Sequence, residues 1–140
     1  MRFIGETDEP TKQRIVNTLR SVSIPPFSIS IKGAGFFPPR KEPRILWLGV
    51  SSCEELLRLQ AKIERMLVSL GISPEDRKFH PHITIARLNG SPHEKIAQYL
   101  TSNSLLSTEI FTVTEYHLYE SYLRKEGALH VREATYGLVG

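Results

Sequence analysis

The chain has 140 residues, 40% of them hydrophobic, with 18 basic and 15 acidic side chains and a formal net charge of +3, as expected of one globular domain. It contains no run of the roughly 20 apolar residues that a membrane-spanning helix needs, and no charged-then-apolar secretion pattern or low-complexity tract. The single cysteine, Cys53, cannot form an internal disulfide and excludes a zinc site built on cysteines, so we expect a reducing, cytoplasmic location.

The first third of the chain predicts one helix and two strands. Asp8 or Thr7 can cap a helix whose apolar residues recur with helical spacing, and two prolines at 25–26 end it. Residues 27–32 alternate between apolar and polar, which is typical of a half-buried strand. A loop rich in glycine and proline is expected next, followed by a strand over the apolar run 45–50.

The remaining residues predict two helices and three strands. Ser52 with Glu55 forms a capping box, and an apolar stripe leads from it to Gly71, a suitable helix end. A strand is expected after Pro81, a second capped helix from Ser91 to residue 100, and strands over 110–122 and 130–138. This order predicts a single α+β domain over residues 1–140 with a largely antiparallel sheet.

The tripeptide His82-Ile83-Thr84 is the strongest candidate for chemistry. Side chains alternate along a strand, so His82 and Thr84 share a face, about 6.6–7 Å apart, while Ile83 and Ile85 are expected to point into the core. An imidazole can take or give a proton near neutral pH, and a hydroxyl can hydrogen-bond a phosphoryl oxygen. A His-x-Thr by itself is weak evidence, because a single strand histidine is more often a packed or surface residue.

The sequence around this tripeptide resembles a known family. The segments Trp-Leu-Gly-Val (47–50), Phe-His-Pro-His-Ile-Thr-Ile-Ala-Arg (79–87) and Leu-Tyr-Glu-Ser (118–121) resemble those of the two-histidine phosphoesterases. More closely, the chain is similar to the bacterial RNA 2′,3′-cyclic phosphodiesterases, also called 2′-5′ RNA ligases. The resemblance implies a bilobal, pseudo-symmetric fold with two His-x-Thr/Ser motifs, in which one histidine is the general base and the other the general acid. It also implies that the hydroxyls hold the phosphate and that neither a metal nor another cofactor is needed.

The printed sequence contains one such motif. Its other histidines are not followed two residues later by Thr or Ser. Aligning the opening residues 1–5 with the family's first motif sets Met1 against Ile85, so we expect the partner His-x-Thr to be encoded immediately ahead of Met1. A fold without that strand and helix would expose a sheet edge, and we then expect aggregation or self-association through it.

Several further residues are candidates for substrate binding. Arg2 falls in register with the expected upstream motif, or is a solvated strand end. Regular alternation places Arg87 on the face opposite His82, in a structural or rim role unless a bulge redirects it. Tyr119 could border the cleft, or pack in the core. The loop that interleaves aromatic and basic side chains could contact RNA or simply be solvated; it carries Phe36, Phe37, Arg40, Lys41 and Arg44.

The resemblance implies an RNA 2′,3′-cyclic phosphodiesterase that opens cyclic phosphates to 2′-phosphates, with 2′-5′ ligation as its reverse reaction. His82 and Thr84 are its expected catalytic residues, and RNA ends or nucleoside cyclic phosphates its expected partners, with no membrane partner. The alternative is a non-catalytic RNA- or nucleotide-binding module that retains a degenerate half-site.

Overall fold

The structure is a computed structural model that describes residues 1–38, 41–51, 53–90, 92–103, 107 and 110–140. Its elements follow the chain in the order α1 (Glu9–Leu19), β1 (Phe27–Ile29), β2 (Ile31–Phe37), β3 (Ile45–Val50), α2 (Glu54–Ser69), β4 (His82–Arg87), α3 (His93–Asn103), β5 (Phe111–Val113), β6 (Glu115–Arg124) and β7 (Gly127–Gly137). Strand β3 pairs antiparallel with β2 and β4, and β6 pairs antiparallel with β7. The predicted α+β class with antiparallel pairing is confirmed.

The chain forms two compact units. The first comprises Met1–Phe27, Glu54–Lys78 and Thr112–Gly140, and the second comprises Ser28–Cys53 and Phe79–Phe111. The short strands β1 and β5 carry the chain from one unit to the other. Among the helices described here, none combines the length and apolar character needed to cross a membrane.

The first unit packs α1 and α2 with the β6–β7 hairpin. The side chain of Asp8 caps α1 by accepting a hydrogen bond of 2.8 Å from the Thr11 N–H, and this hydrogen bond lowers the pKa of Asp8. Helix α2 ends at Ser69, and the chain leaves it through Gly71, whose φ of 88° suits glycine. The predicted apolar faces are confirmed by the buried side chains of the two helices, which are Ile15, Leu19, Leu56, Leu59, Ile63 and Leu67. Burial of each such side chain contributes about 1.5–3 kcal/mol.

Two stacked tyrosines attach the hairpin to α1. The rings of Tyr116 and Tyr136 lie 4.9 Å apart. Their hydroxyls donate to the carbonyl oxygens of Leu19 and Val16, at 3.0 and 2.9 Å. Burial raises the pKa of Tyr116 to about 12 and also raises that of Tyr136, so both hydroxyls stay protonated and remain donors.

The second unit is built on a three-stranded sheet with the order β2-β3-β4, which leaves β4 at an edge. The prediction that residues 33–37 form a loop is wrong, because β2 continues through them and Gly35 lies opposite Trp47 of β3. A Cβ atom on Gly35 would lie 2.2 Å from the indole carbon Cζ2 of Trp47. The glycine that suggests a loop is therefore a strand residue that makes room for an indole.

The expected burial of Ile83 and Ile85 is also wrong. These side chains are 45% and 46% exposed. Helix α3 packs against β2, at the opposite edge of the sheet, and within this unit it leaves the two isoleucines of β4 uncovered. The predicted capping residues Ser52 and Ser91 lie outside the described residues.

Candidate functional site

His82 and Thr84 lie next to each other on one face of the edge strand β4. Cross-strand partners share a face of the sheet, and His82 lies opposite Gly49 while Thr84 lies opposite Trp47. Both β4 side chains are exposed. The predicted strand and the predicted common face of the imidazole and the hydroxyl are confirmed.

A backbone contact determines which nitrogen of His82 carries a proton in the neutral ring. The Nδ1 atom lies 2.5 Å from the carbonyl oxygen of His80. Because a carbonyl oxygen can only accept, Nδ1–H is the donor, and the neutral imidazole leaves Nε2 with a lone pair. The Nε2 atom can therefore accept a proton from one reactant, or deliver a proton when the ring is charged.

Two aromatic side chains surround His82. The ring of Phe37 contacts it edge-on, with centroids 5.2 Å apart, and the Trp47 ring lies at 6.3 Å. Phe37 and Trp47 in turn lie 5.4 Å from each other. Sequence reasoning did not assign Trp47 to the site, and it named Phe37 only as a loop residue. The sequence feature that could have indicated Phe37 and Trp47 is the pair Gly35 and Gly49. These glycines lack side chains on the same face of the sheet and so leave room there for aromatic rings.

Packing and one backbone hydrogen bond fix the position of Trp47. The Tyr99 hydroxyl donates to its carbonyl oxygen at 3.0 Å, and burial raises the pKa of Tyr99, so this donor stays protonated. The indole Nε1–H is buried and finds no acceptor among the residues that the structure describes. The ring therefore depends on its contacts with Gly35 and Phe37 for its orientation.

A bulge in β4 places Arg87 on the same face as His82 and Thr84. Leu46 lies opposite Ala86 but the next residue, Trp47, lies opposite Thr84, so Ile85 is the extra residue. Arg87 then lies opposite Ile45, which shares a face with Trp47 in the alternation of β3. The expectation from regular alternation, that Arg87 faces away from His82, is wrong for this reason.

The other candidate residues lie elsewhere. Phe36 pairs with Leu46, on the face of the sheet opposite Trp47, so the two neighbouring phenylalanines separate and Phe37 is the one beside His82. Tyr119 lies in β6 of the first unit and is 48% exposed. Arg40 lies outside the described residues.

Arg2 belongs to the first unit, where it forms a partly buried ion pair. Its Nε atom donates to Glu64 Oε2 at 2.6 Å, and its Nη2 atom donates to the carbonyl oxygen of Ser73. Burial alone would raise the pKa of Glu64, but the hydrogen bonds from Arg2 and from the Glu75 N–H outweigh it, and the pKa is lowered. With its guanidinium held by these partners, Arg2 anchors the opening residues to α2 and to the segment after it.

The chain matches known proteins over most of its length. A family model described as the 2′-5′ RNA ligase superfamily matches residues 2–124. A protein of Aeropyrum pernix named RNA 2′,3′-cyclic phosphodiesterase is 35% identical over 132 residues, which is 93% of this chain and 75% of the relative. Proteins with the same name from Methanothermobacter thermautotrophicus and Thermotoga maritima are 32% and 33% identical, with 72% and 68% of their lengths covered and 93% and 91% of this chain.

Solved structures agree on the fold. TT0787 of Thermus thermophilus superposes with a TM-score of 0.74 at 24% identity, covering 99% of this chain and 75% of that one. LigT of E. coli, crystallised with 3′-AMP, gives a TM-score of 0.77 at 20% identity with the same coverage. The family match over residues 2–124 includes β2, β3 and β4, the three strands that carry the candidate site. On the family match and the identity to these relatives, the chain belongs to the 2′-5′ RNA ligase superfamily.

Proposed function

We propose that the protein is an RNA 2′,3′-cyclic phosphodiesterase that opens terminal cyclic phosphates to 2′-phosphates. The observation that carries this proposal is the exposed pair of His82 and Thr84 on β4, in a chain whose relatives bear that enzyme name. A nucleotide ligand, 3′-AMP, in the E. coli neighbour supports the same class of substrate.

The proposed reaction is an in-line displacement at phosphorus. Water attacks the cyclic phosphate, the bond from phosphorus to the ribose 3′ oxygen breaks, and the phosphate stays on the 2′ oxygen. One proton leaves the attacking water and one is delivered to the 3′ oxygen, on opposite sides of phosphorus. Nε2 of His82 serves one of these two transfers, while a second histidine serves the other. If the 5′-hydroxyl of a second RNA attacks in place of water, the same bond from phosphorus to the 3′ oxygen breaks, that oxygen takes up a proton, and the product is a 2′-5′ linkage.

Thr84 and Arg87 are the proposed phosphate-binding residues. The Thr84 hydroxyl can donate to a phosphoryl oxygen, and the Arg87 guanidinium can donate two hydrogen bonds in a planar fork. Their support is the common face that the cross-strand register and the bulge at Ile85 give them. The Phe37 and Trp47 rings would exclude water from one side of the phosphate and so strengthen these interactions.

The test is hydrolysis of a nucleoside 2′,3′-cyclic phosphate, followed by ³¹P NMR to identify the 2′-phosphate. We expect His82→Ala to lower kcat by about 100- to 10,000-fold. The matched control is His93→Ala, which removes an exposed histidine at the start of α3 and is expected to retain activity. Chelation by EDTA is expected to leave the rate unchanged, since metal-free chemistry is part of the proposal. Full activity in His82→Ala would refute the assignment of His82.

Arg87 is tested separately. We expect Arg87→Gln to lower kcat/KM about tenfold, mainly by raising KM, because it removes a charge-assisted contact with the ground-state phosphate. Arg87→Lys should recover part of this loss, since lysine keeps the charge but not the fork. Arg77→Gln, at an exposed arginine ahead of β4, is the control. Unchanged KM in Arg87→Gln would remove Arg87 from the site.

The rival function is a non-catalytic RNA- or nucleotide-binding module. Binding of the cyclic nucleotide by a folded wild-type protein, with no product formed, would favour it over the enzyme. The assay is therefore run on the 140-residue chain and on the chain with any in-frame residues encoded ahead of Met1, which tests the prediction of a partner His-x-Thr there.

Three further parts of the proposal concern the whole protein. We propose that residues 1–140 act within one phosphoesterase domain and that the protein works in the cytoplasm, for which its single cysteine is the support. Self-association through an exposed sheet edge stays a prediction. Sedimentation velocity tests it, and a concentration-independent monomer would contradict it.

A further inference from the structure

One face of the β6–β7 hairpin carries side chains that the proposed chemistry does not use. Alternation along β6 places them opposite Tyr116, whose side chain packs under α1. We call this set the outer row. Its members form three cross-strand pairs, which are His117 with Thr135, Tyr119 with Arg132, and Ser121 with His130.

Side-chain contacts hold the outer row in place. The Nδ1 atom of His117 lies 3.1 Å from Thr135 Oγ1, and the Ser121 Oγ atom lies 2.8 Å from Nδ1 of His130. In the central pair, Arg132 donates to the Tyr119 hydroxyl at 3.4 Å, and its Cζ atom lies 5.9 Å from the centre of the Tyr119 ring. Groups ordered in this way lose less conformational entropy when a ligand binds them.

The outer row is open to solvent and lacks a carboxylate at its centre. Its side chains are exposed except that of His117, which is partly exposed. Within the described ranges, no carboxylate lies within ion-pair distance of Arg132. Glu115 is the acidic neighbour, and it lies at the end of the row, 3.4 Å from Nε2 of His117. The central guanidinium is therefore available to an anion.

We propose that the outer row binds the body of a single-stranded RNA, an inference that rests on the proposed function. Single-stranded nucleic acid is bound by cations that contact phosphates together with planar groups on which bases stack. The outer row supplies both, since Arg132 is a cation and its guanidinium and the Tyr119 ring are planar. Hydroxyl and imidazole groups on either side can hydrogen-bond phosphate oxygens and ribose hydroxyls.

The test measures binding without chemistry. A single-stranded RNA of about 16 nucleotides, labelled at its 5′ end and ending in a 3′-hydroxyl, is titrated with the protein and followed by fluorescence anisotropy. We expect Tyr119→Leu to weaken binding about tenfold. Arg132→Gln should weaken binding and reduce the slope of log Kd against log salt by about 0.7, the value for one contact to a single strand.

Two variants separate this role from a structural one. Arg132→Lys should retain the salt slope, because the charge remains, while losing affinity because the planar group is gone. Arg124→Gln removes an arginine from the same hairpin, which alternation places on the opposite face, and is expected to bind RNA like the wild type. Each variant is first checked for unchanged thermal unfolding.

Each outcome bears directly on the inference. Unchanged affinity in both Tyr119→Leu and Arg132→Gln, or an equal loss in Arg124→Gln, would overturn it. So would a wild-type protein that binds no RNA. Because the RNA has no cyclic phosphate, failure to hydrolyse cyclic phosphates would refute the proposed function and leave this measurement intact.

Discussion

At the scale of single residues, the candidate site depends on the position of one indole. Trp47 is the sequence's only tryptophan, and its ring lies beside both Phe37 and His82. Gly35 faces it across the strand pair, and a methyl group there would lie 2.2 Å from the ring. The absence of a side chain at position 35 thus determines where an aromatic wall of the site can lie.

The first prediction follows from this contact. We expect Gly35→Ala to displace Trp47, to lower the free energy of unfolding by about 1–3 kcal/mol through overpacking, and to shift the tryptophan emission. Catalysis should fall by at least about tenfold, since a displacement of about 1 Å near reacting groups can cost about 100-fold. Urea unfolding, fluorescence and the cyclic-phosphate assay measure the three effects.

Gly137→Ala is the matched control for this substitution. Gly137 also lies in a strand, but a Cβ atom there has no neighbour within 4 Å among the described residues, and its φ is not in the left-handed region. Wild-type emission and activity in Gly35→Ala would contradict the prediction. They would show that the added methyl group is accommodated and that the position of the Trp47 ring does not shape the site.

At the scale of elements, the segment Leu118-Tyr119-Glu120-Ser121 divides its side chains between the two faces of β6. Tyr119 and Ser121 belong to the outer row, while Glu120 points the other way and binds Lys12 of α1 at 3.0 Å. The hydrogen bond from Lys12 lowers the pKa of Glu120. One strand therefore presents a binding face while its other face joins the hairpin to a helix.

Periodicity was enough to predict α2 and β4, but it missed the part of β2 that covers residues 33–37. The apolar stripe of α2 and the strand character of residues 82–87 are local properties, and the structure confirms both. The bulge at Ile85 and the separation of Phe36 from Phe37 are not local, because they depend on which residue of β3 lies opposite each position. A one-residue change in register moves every later side chain to the other face, so the site could be located from sequence but its members could not all be identified.

The second prediction concerns the ion pair that joins the opening residues to α2. The folded state lowers the pKa of Glu64, so its ionised form stabilises the fold above the unfolded pKa of about 4.3, and this contribution is lost as the pH falls through the lower folded value. We expect Glu64→Gln to cost about 1–3 kcal/mol at pH 7 and progressively less below about pH 4. Urea unfolding of both proteins across this range measures the difference. Glu54→Gln, at an exposed ion pair within α2, is the control, and a pH-independent cost in Glu64→Gln would contradict the argument.

At the scale of the whole molecule, the modest positive charge is expected to favour association with RNA. The chain carries 18 basic and 15 acidic side chains, and its sequence pI is about 9.1. A net positive charge raises the local concentration of a polyanion and speeds its association, while affecting a mononucleotide much less. The effect of the charge should therefore depend on the length of the RNA that carries the cyclic phosphate.

The third prediction tests that dependence with two substrates that share the same reacting end. We expect kcat/KM for an oligoribonucleotide ending in a 2′,3′-cyclic phosphate to fall with salt more steeply than kcat/KM for the mononucleotide. The slope of log kcat/KM against log salt should become more negative by about 0.7 for each additional phosphate that the protein contacts. Because the bond that breaks is the same in both substrates, chemistry at His82 cannot produce a difference between the slopes. Parallel slopes would mean that only the terminal phosphate is bound, and would confine recognition to the face of β4.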